Sequence, residues 1–203
     1  MNLNDLNKVP LILFILVFIY TVSLFVVPLT LEPGTVEGLS GAANRISYTE
    51  MWSELPLYHR MVYAFSDFNC HQMHERSYYI NGNQMPVCAR CMGIFMGLTL
   101  GFLVMIFVIP RRDYKDMLLG LLPFKTEHFS EMKKRVVMVM VGLMMISPMG
   151  ADGFLQLLTD YESNNPMRTL TGFLGGVVFA LFMSALLVSS LHFVHDDEEK
   201  SYI

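Results

Sequence analysis

Four long apolar runs constrain this chain more than any other feature. They extend over about 10–31, 92–109, 136–158 and 169–191. The first, Pro10 to Leu31, carries no charged side chain. About twenty apolar residues suffice to cross the hydrocarbon core of a bilayer as a helix. A signal peptide is the rival reading of the first run, but the run is too long and no small-residue cleavage site closes it. Composition agrees with a bilayer. Hydrophobic residues make up 53% of the chain and charged residues 16%, against the ~25% charged content of soluble domains. The length of 203 residues suits a single domain, 1–203. The expected fold class is an all-α membrane protein with four transmembrane helices, an extracytoplasmic Cys/His-rich loop and a short hairpin.

The segments between the runs set the orientation. Residues 110–135 carry Arg111, Arg112, Lys115, Lys125, Lys133, Lys134 and Arg135, the densest basic stretch in the chain. Cytoplasmic loops are rich in Lys and Arg, so this loop is expected inside, with both termini cytoplasmic in a multi-pass cell-membrane protein. The membrane accounts for the basic stretch, and no nucleic-acid partner is needed. Met117 to Phe124 is expected to form a short interfacial turn of helix. The net charge of -4 says little, because the tail Asp196-Asp197-Glu198-Glu199 supplies as many negative charges. That tail, after His192, is expected to fray. Upstream, Leu57, Met61, Val62, Phe65 and Phe68 form a helical stripe. With Trp52, Tyr58 and Tyr63 beside it, the stripe predicts a helix at the membrane surface or covering the bundle end.

Small residues then set the packing. Gly93, Gly97 and Gly101 recur every four residues in the second run, and Gly172, Gly176, Ala180 and Ser184 do so in the fourth. Such stripes let helices approach closely, so runs two and four are expected to pack side by side and in parallel. In the third run Pro148 and Gly150 are expected to interrupt the helix just before Asp152 and Gln156. Those two residues are four apart and share a helix face. A carboxylate at membrane depth is costly and points to function.

The chemistry concentrates between the first and second runs. Cys70 to Cys91 holds all three cysteines, two histidines, two arginines and a glutamate. Cys88 and Cys91 form a C-x-x-C pair, a spacing that lets two thiolates grip one tetrahedral ion. Cys70 adds a third sulfur, and His71 or His74 an imidazole. Soft donors of this kind suit Zn²⁺ better than Mg²⁺. Asn81-Gly82 predicts a tight hairpin turn that folds Cys88 and Cys91 back toward Cys70. Two rivals stand beside zinc: thiol–disulfide exchange at the helix-opening C-x-x-C pair, and a structural disulfide, which the odd cysteine count disfavours.

The stretch also resembles a known family. Cys70-His71-Gln72, Glu75-Arg76-Ser77, Gly82, Met85-Pro86-Val87-Cys88-Ala89-Arg90-Cys91, Gly93-Ile94-Phe95 and Gly97 resemble the signature of the DUF2085 membrane proteins. Asp152-Gly153, Gln156, Ser163, Asn165, Arg168, Thr171-Gly172 and Gly175 resemble its second block. The resemblance implies a membrane protein, names no reaction, and favours His71 over His74 as the ligand. Met92 stands where the family pattern suggests a threonine.

With the basic loop inside, the Cys70–Cys91 loop, the end of run three and the start of run four share the outer face. Zinc is expected on Cys70, His71, Cys88 and Cys91. Arg76, Arg90, Gln156, Asn165 and Arg168 are expected to bind substrate, with Asp152, Glu75 and Arg168 as candidate catalytic groups. Arginine forks recognise phosphate or carboxylate, so a membrane lipid with a phosphorylated or anionic headgroup is the expected partner. A metal-dependent hydrolase or transferase acting on that lipid is one reading. A quinone-linked thiol oxidoreductase using Cys88 and Cys91 is a second. A non-enzymatic scaffold or transporter subunit with structural zinc is a third. A homo-oligomer is compatible with all of them. The orientation is directly testable. An impermeant thiol reagent on intact cells is expected to label Ser40→Cys and to spare Lys125→Cys; the reverse pattern overturns it.

Overall fold

The computed structural model describes residues 8–111, 113–123, 126 and 128–201. Arg112 and Lys125 of the basic stretch lie outside these residues. The described elements are α1 (Lys8–Thr30), α2 (Thr49–Glu54), α3 (Leu57–Asn69), β1 (Tyr79–Ile80), β2 (Asn83–Gln84), α4 (Ala89–Ile106), α5 (Tyr114–Leu119), α6 (Glu131–Leu158) and α7 (Asn165–Ser201). Four of them, α1, α4, α6 and α7, are long and apolar enough to cross a membrane. The protein is therefore a multi-pass, all-α membrane protein with a cysteine-rich loop and one short hairpin.

Backbone chemistry explains where the helices begin and end. The chain bends at Pro86 and Val87, and Cys88, extended at φ -68 and ψ 162, occupies the N-cap position of α4. This helix therefore starts at Ala89 rather than at Met92. It stops at Ile106 instead of Ile109, because Pro110 disfavours helical geometry in the residue before it. The last turn tightens, with Phe107 N donating to Val104 O at 3.1 Å. Helix α5 lies at Tyr114–Leu119 rather than at 117–124, since Asp113 Oδ1 accepts from Lys115 N at 2.9 Å and caps it.

Two expectations about the long helices are corrected. Pro148 does not interrupt α6, which is continuous from Glu131 to Leu158. Proline removes the N–H that would have served the Met144 carbonyl, and Ser147 Oγ donates to that same oxygen at 3.1 Å. A neighbouring hydroxyl is one of the ways a membrane helix accommodates proline. Nor does the fourth helix end near Leu191. No glycine or proline follows Gly176, and the backbone of α7 stays helical through Ser201.

The centre of the bundle is the α4–α7 pair. Gly93, Gly97 and Gly101 of α4 face Thr169, Phe173 and Val177 of α7, and Gly172 and Gly176 of α7 face Arg90 and Ile94 of α4. Both helices advance together along this contact, so they run parallel, as the small-residue stripes imply. A Cβ added at Gly93, Gly97, Gly172 or Gly176 would overlap a carbonyl oxygen of the facing helix. Backbones this close permit Cα–H···O contacts. Helix α1 joins α4 through Thr21 Oγ1 and Thr99 Oγ1, 3.0 Å apart. Helix α6 is held much less. Only Gly142 and Asp152 are buried in it, while Val139, Met140, Leu143, Met144 and Leu157 face outward.

One end of the bundle carries a cap with its own core. Leu24 and Val27 of α1, and Leu31 just after it, meet Val36, Leu39, Trp52, Tyr63, Met85 and Val87. The hairpin forms at the expected turn, pairing Tyr79 with Gln84 and Ile80 with Asn83. Asn81 (φ 52) and Gly82 (φ 73) both take the left-handed conformation that a two-residue turn of this kind requires. Buried amides lock the hairpin to the segment after α1. Asn83 Oδ1 accepts from Val36 N at 3.0 Å, and Gln84 Oε1 accepts from Leu39 N at 2.9 Å. The expected helical stripe is α3, and all of it but the buried Val62 faces outward, as a membrane-surface helix requires. Leu57, Met61, Phe65 and Phe68 point outward, while Tyr63, Ser66 and Asp67 are buried. Asp67 Oδ2 accepts from Ser47 N, Tyr48 N and Trp52 Nε1 at 2.7, 3.1 and 2.9 Å, and so stitches the cap together.

The glycine interface makes a paired prediction. Gly97→Ala is expected to cost about 1–3 kcal/mol, because the helices must separate to admit the methyl group. Gly150→Ala on the same bundle meets nothing within 4 Å and is expected to cost nothing. Unfolding of both variants in detergent measures the contrast.

Candidate functional site

The cysteine cluster is built by three pieces of backbone. Cys70 terminates α3, with its N–H bonded to Ser66 O at 2.9 Å. Gln72 then turns the chain back with φ 48, an uncommon conformation outside glycine. This aims Gln72 N at Cys70 Sγ, 3.4 Å away. Gln72 Nε2 donates to Pro86 O at 2.6 Å, and Gln84 Nε2 donates to Gln72 O at 2.6 Å. Those amides fasten the Cys70 turn to the strand that leads to Cys88. Cys88 caps α4, and Cys91 lies in its first turn. Cys88 N also donates to Cys70 Sγ, at 3.3 Å.

The three sulfurs lie within 4.8 Å of one another, and none is in a disulfide. Thiolates on a common zinc, each ~2.3 Å from it, need a cluster of about this size. The sulfurs compete for protons. The Cys88 thiol is drawn far below its ordinary range by hydrogen bonds from Cys70 and Cys91, helped by the backbone N–H groups of Cys91 and Arg90. Cys70 is pushed up to about 11, first because its proton is held toward Cys88. Thiolate is the metal-binding form; at Cys70 the N–H of Cys88 opposes the rise without reversing it. The donor set fits a soft divalent ion. His71 lines the cavity beside the cluster, but its ring is not part of the three-sulfur group. His74 turns away and pairs with Glu75 at 3.6 Å on the surface.

Beside the sulfurs lies a polar relay across α4, α6 and α7. Arg90, between the two C-x-x-C cysteines, forms an ion pair with Asp152 of α6. Asp152 is 5% exposed. Its Oδ2 also accepts from Gln156 Nε2 at 3.0 Å and from Ser163 Oγ at 3.2 Å. Gln156 Oε1 then accepts from Arg168 Nη2 at 3.3 Å. Arg168 Nη1 reaches Asn165 Oδ1 at 3.5 Å, and Asn165 Nδ2 donates to Ser77 O at 3.2 Å. A cavity of about 370 Å³ joins the two halves, lined by Cys70, Cys88 and Cys91 on one side and Arg76, Arg90, Gln156 and Arg168 on the other.

The residues singled out from sequence thus separate into those the structure brings together and those it does not. Cys70, Cys88, Cys91, Arg76, Arg90, Gln156 and Arg168 share the cavity. Asp152 braces it from behind, and Asn165 steadies Arg168. Glu75 does not line it. Arg76 pairs with Glu162, at 3.6 Å. Three residues were missed as site-builders: Gln72, Gln84 and Ser163. Gln72 and Ser163 stood in the family blocks, but no spacing rule marks an amide that bonds a backbone across a loop.

The model of the family described as "Predicted membrane protein (DUF2085)" matches residues 70–182, more than half of the chain. The chain belongs to that family. It is 30% identical over 131 residues to an uncharacterized protein of Methanocaldococcus jannaschii, covering 64% of this chain and 71% of the relative. It is 32% identical over 123 residues to another from Methanothermobacter thermautotrophicus, covering 61% of this chain and 91% of the relative. No solved structure matches. The matched region begins at the first cysteine and takes in the whole relay.

The Arg90–Asp152 pair is the energetic centre of that relay. Removing one partner of a buried pair strands the other, whereas an apolar replacement of both is often tolerated. Asp152→Leu is expected to destabilise the protein by about 3 kcal/mol. The double variant Asp152→Leu/Arg90→Met is expected to recover most of that loss, as read by unfolding in detergent.

Proposed function

We propose that this DUF2085 protein is a membrane metalloprotein that holds one Zn²⁺ on Cys70, Cys88 and Cys91 and binds the anionic headgroup of a lipid beside it. The observation that carries the reading is the shared cavity: three sulfurs and three guanidinium groups line one space of about 370 Å³. Zinc sites bounded by three protein ligands keep a fourth position for water or substrate. His71 and the three arginines line the same cavity as the sulfurs. A zinc ion there would supply Lewis acidity toward a bound oxygen.

The chain's own residues supply the rest. Arg76, Arg90 and Arg168 attract and orient the anion through their forks. Asp152, held by Gln156 and Ser163, keeps Arg90 in place. The first turn of α4 directs its N–H groups and dipole at the cysteines, which favours thiolate. The outward apolar face of α3, with Leu57, Met61 and Phe65 exposed, suits burial in the lipid boundary beside the cavity. By the positive-inside rule this end of the bundle is extracytoplasmic, and both termini are cytoplasmic.

Elemental analysis of the purified protein tests the metal. One zinc per chain is expected. Cys88→Ser is expected to lose it and to lower the thermal stability of the cap, because structural thiolate sites contribute to folding. Metal-free protein with a Cys88–Cys91 disulfide in the resting state overturns the zinc reading in favour of thiol exchange.

A further inference from the structure

The three arginines of the cavity are not equivalent. Arg90 is neutralised by Asp152. Arg76 is at the rim, with its side chain 36% exposed and its partner Glu162 76% exposed. Arg168 is 4% exposed and has no carboxylate within ion-pair distance among the described residues. Its side-chain partners are two neutral amide oxygens, Gln156 Oε1 at 3.3 Å and Asn165 Oδ1 at 3.5 Å. Both contacts are long for a charge-assisted bond, which normally falls at about 2.7–2.9 Å. Arg168 therefore stands buried, loosely held and uncompensated in a cavity that contains two other guanidinium groups.

Its neighbours fix its aim. Gln156 Nε2 is committed to Asp152 Oδ2, Asp152 O and Ser163 Oγ, at 3.0, 3.1 and 2.9 Å. That leaves Gln156 Oε1 facing Arg168. Arg90, which also lines the cavity, has a buried Nε without a hydrogen-bond partner. A buried charge without a partner is costly, and a ligand that supplies the missing charge removes that cost.

We propose that the ligand of this cavity is a terminal phosphate, a phosphate monoester or free phosphate, and that Arg168 is the residue that reads it. The proposal rests on the anionic-ligand reading above but not on the zinc. Arg168 has no ion-pair partner among the described residues and Arg76 has only the exposed Glu162 at 3.6 Å, so a phosphate monoester dianion can neutralise Arg168 and replace the weak rim pair of Arg76. A phosphodiester or a carboxylate brings only one negative charge. Three terminal oxygens also give the forks of Arg168 and Arg76 separate acceptors.

The test uses the full chain in nanodiscs of neutral phosphatidylcholine, titrated calorimetrically with dihexanoyl phosphatidate, dihexanoyl phosphatidylglycerol, hexanoate and inorganic phosphate. Phosphatidate is expected to bind more tightly than the diester or the carboxylate. Arg168→Gln is expected to weaken it roughly 10- to 100-fold, the range of a lost charge-assisted hydrogen bond. Arg168→Lys keeps the charge but loses the fork. It is expected to weaken binding about 10-fold, and it decides the matter if the glutamine variant does not fold. Arg135→Gln, at the far end of α6, is expected to change nothing. If inorganic phosphate binds as tightly as phosphatidate, the source is free phosphate; if it binds more weakly, the lipid body contributes. The proposal is overturned if no phosphate probe binds, if the diester or hexanoate binds as tightly as phosphatidate, or if both Arg168 variants bind like wild type. Zinc measured on each sample separates the two readings. Zinc-free protein that still binds phosphatidate through Arg168 keeps this proposal while the metal reading falls. Zinc-replete protein that binds no phosphate overturns this proposal alone.

Discussion

The backbone contact between α4 and α7 is the constraint on which the rest of the structure depends. Glycine Cα atoms on each helix press against carbonyl oxygens of the other, so the pair has one register and one separation. Shifting α7 by one residue would bring side chains such as Phe173 or Thr171 onto positions where only hydrogen fits. This register decides the chemistry at the end of the pair. Gly172 packs on the Arg90 carbonyl and Gly93 on the Thr169 carbonyl, and so Arg90 and Arg168 open onto the same cavity. In a bilayer, where burial of apolar surface gives helices little reason to associate, close packing of this kind supplies the association.

The cap works on a different principle. Its core of Leu24, Val36, Leu39, Trp52, Tyr63 and Met85 resembles that of a small water-soluble domain. Buried polar side chains give it definition. Asp67, Gln72, Asn83 and Gln84 are all fully buried, and each bonds backbone groups of another segment. Irregular backbone is tolerated near a membrane only when its polar groups are satisfied within the protein. The amides do this for the chain on both sides of the cysteines. The sulfurs are therefore placed by a network that does not itself need a metal to close, although Cys70 accepts two of its N–H bonds.

Much of this was legible in the sequence, and the exceptions follow from physics. Charge-free length marks a membrane helix whatever surrounds it, so the spans at 10–31 and 169–191 could be read directly. The Asn81-Gly82 turn was equally plain, because few residue pairs accept two left-handed conformations. Pro148 misled because a proline signals a missing donor without showing that Ser147 serves the orphaned carbonyl. The α3 stripe was legible as a membrane-surface helix, but not which polar residues its other face would bury. Periodicity identifies an apolar face, but in a membrane protein that face can turn toward lipid while Ser66 and Asp67 turn inward. Gln84 left no signal, and Gln72 only its place in the family block, since an amide that bonds a distant backbone has no period.

The uneven grip on the helices has a mechanical consequence. Helices α4 and α7 form a stiff unit through their backbones, whereas α6 leans on α7 through side chains such as Met149 on Gly175 and Phe182 on Gly142. Two of the relay's groups, Asp152 and Gln156, ride on that weaker member. The bundle is thus a rigid beam with a compliant arm, and compliance is concentrated where the relay crosses from one to the other. Any tilt of α6 is felt first as a change in the distance between its carboxylate and the beam. Along its outer face Val139, Leu143 and Leu157 stay exposed among the described residues, so no side-chain packing there opposes such a tilt.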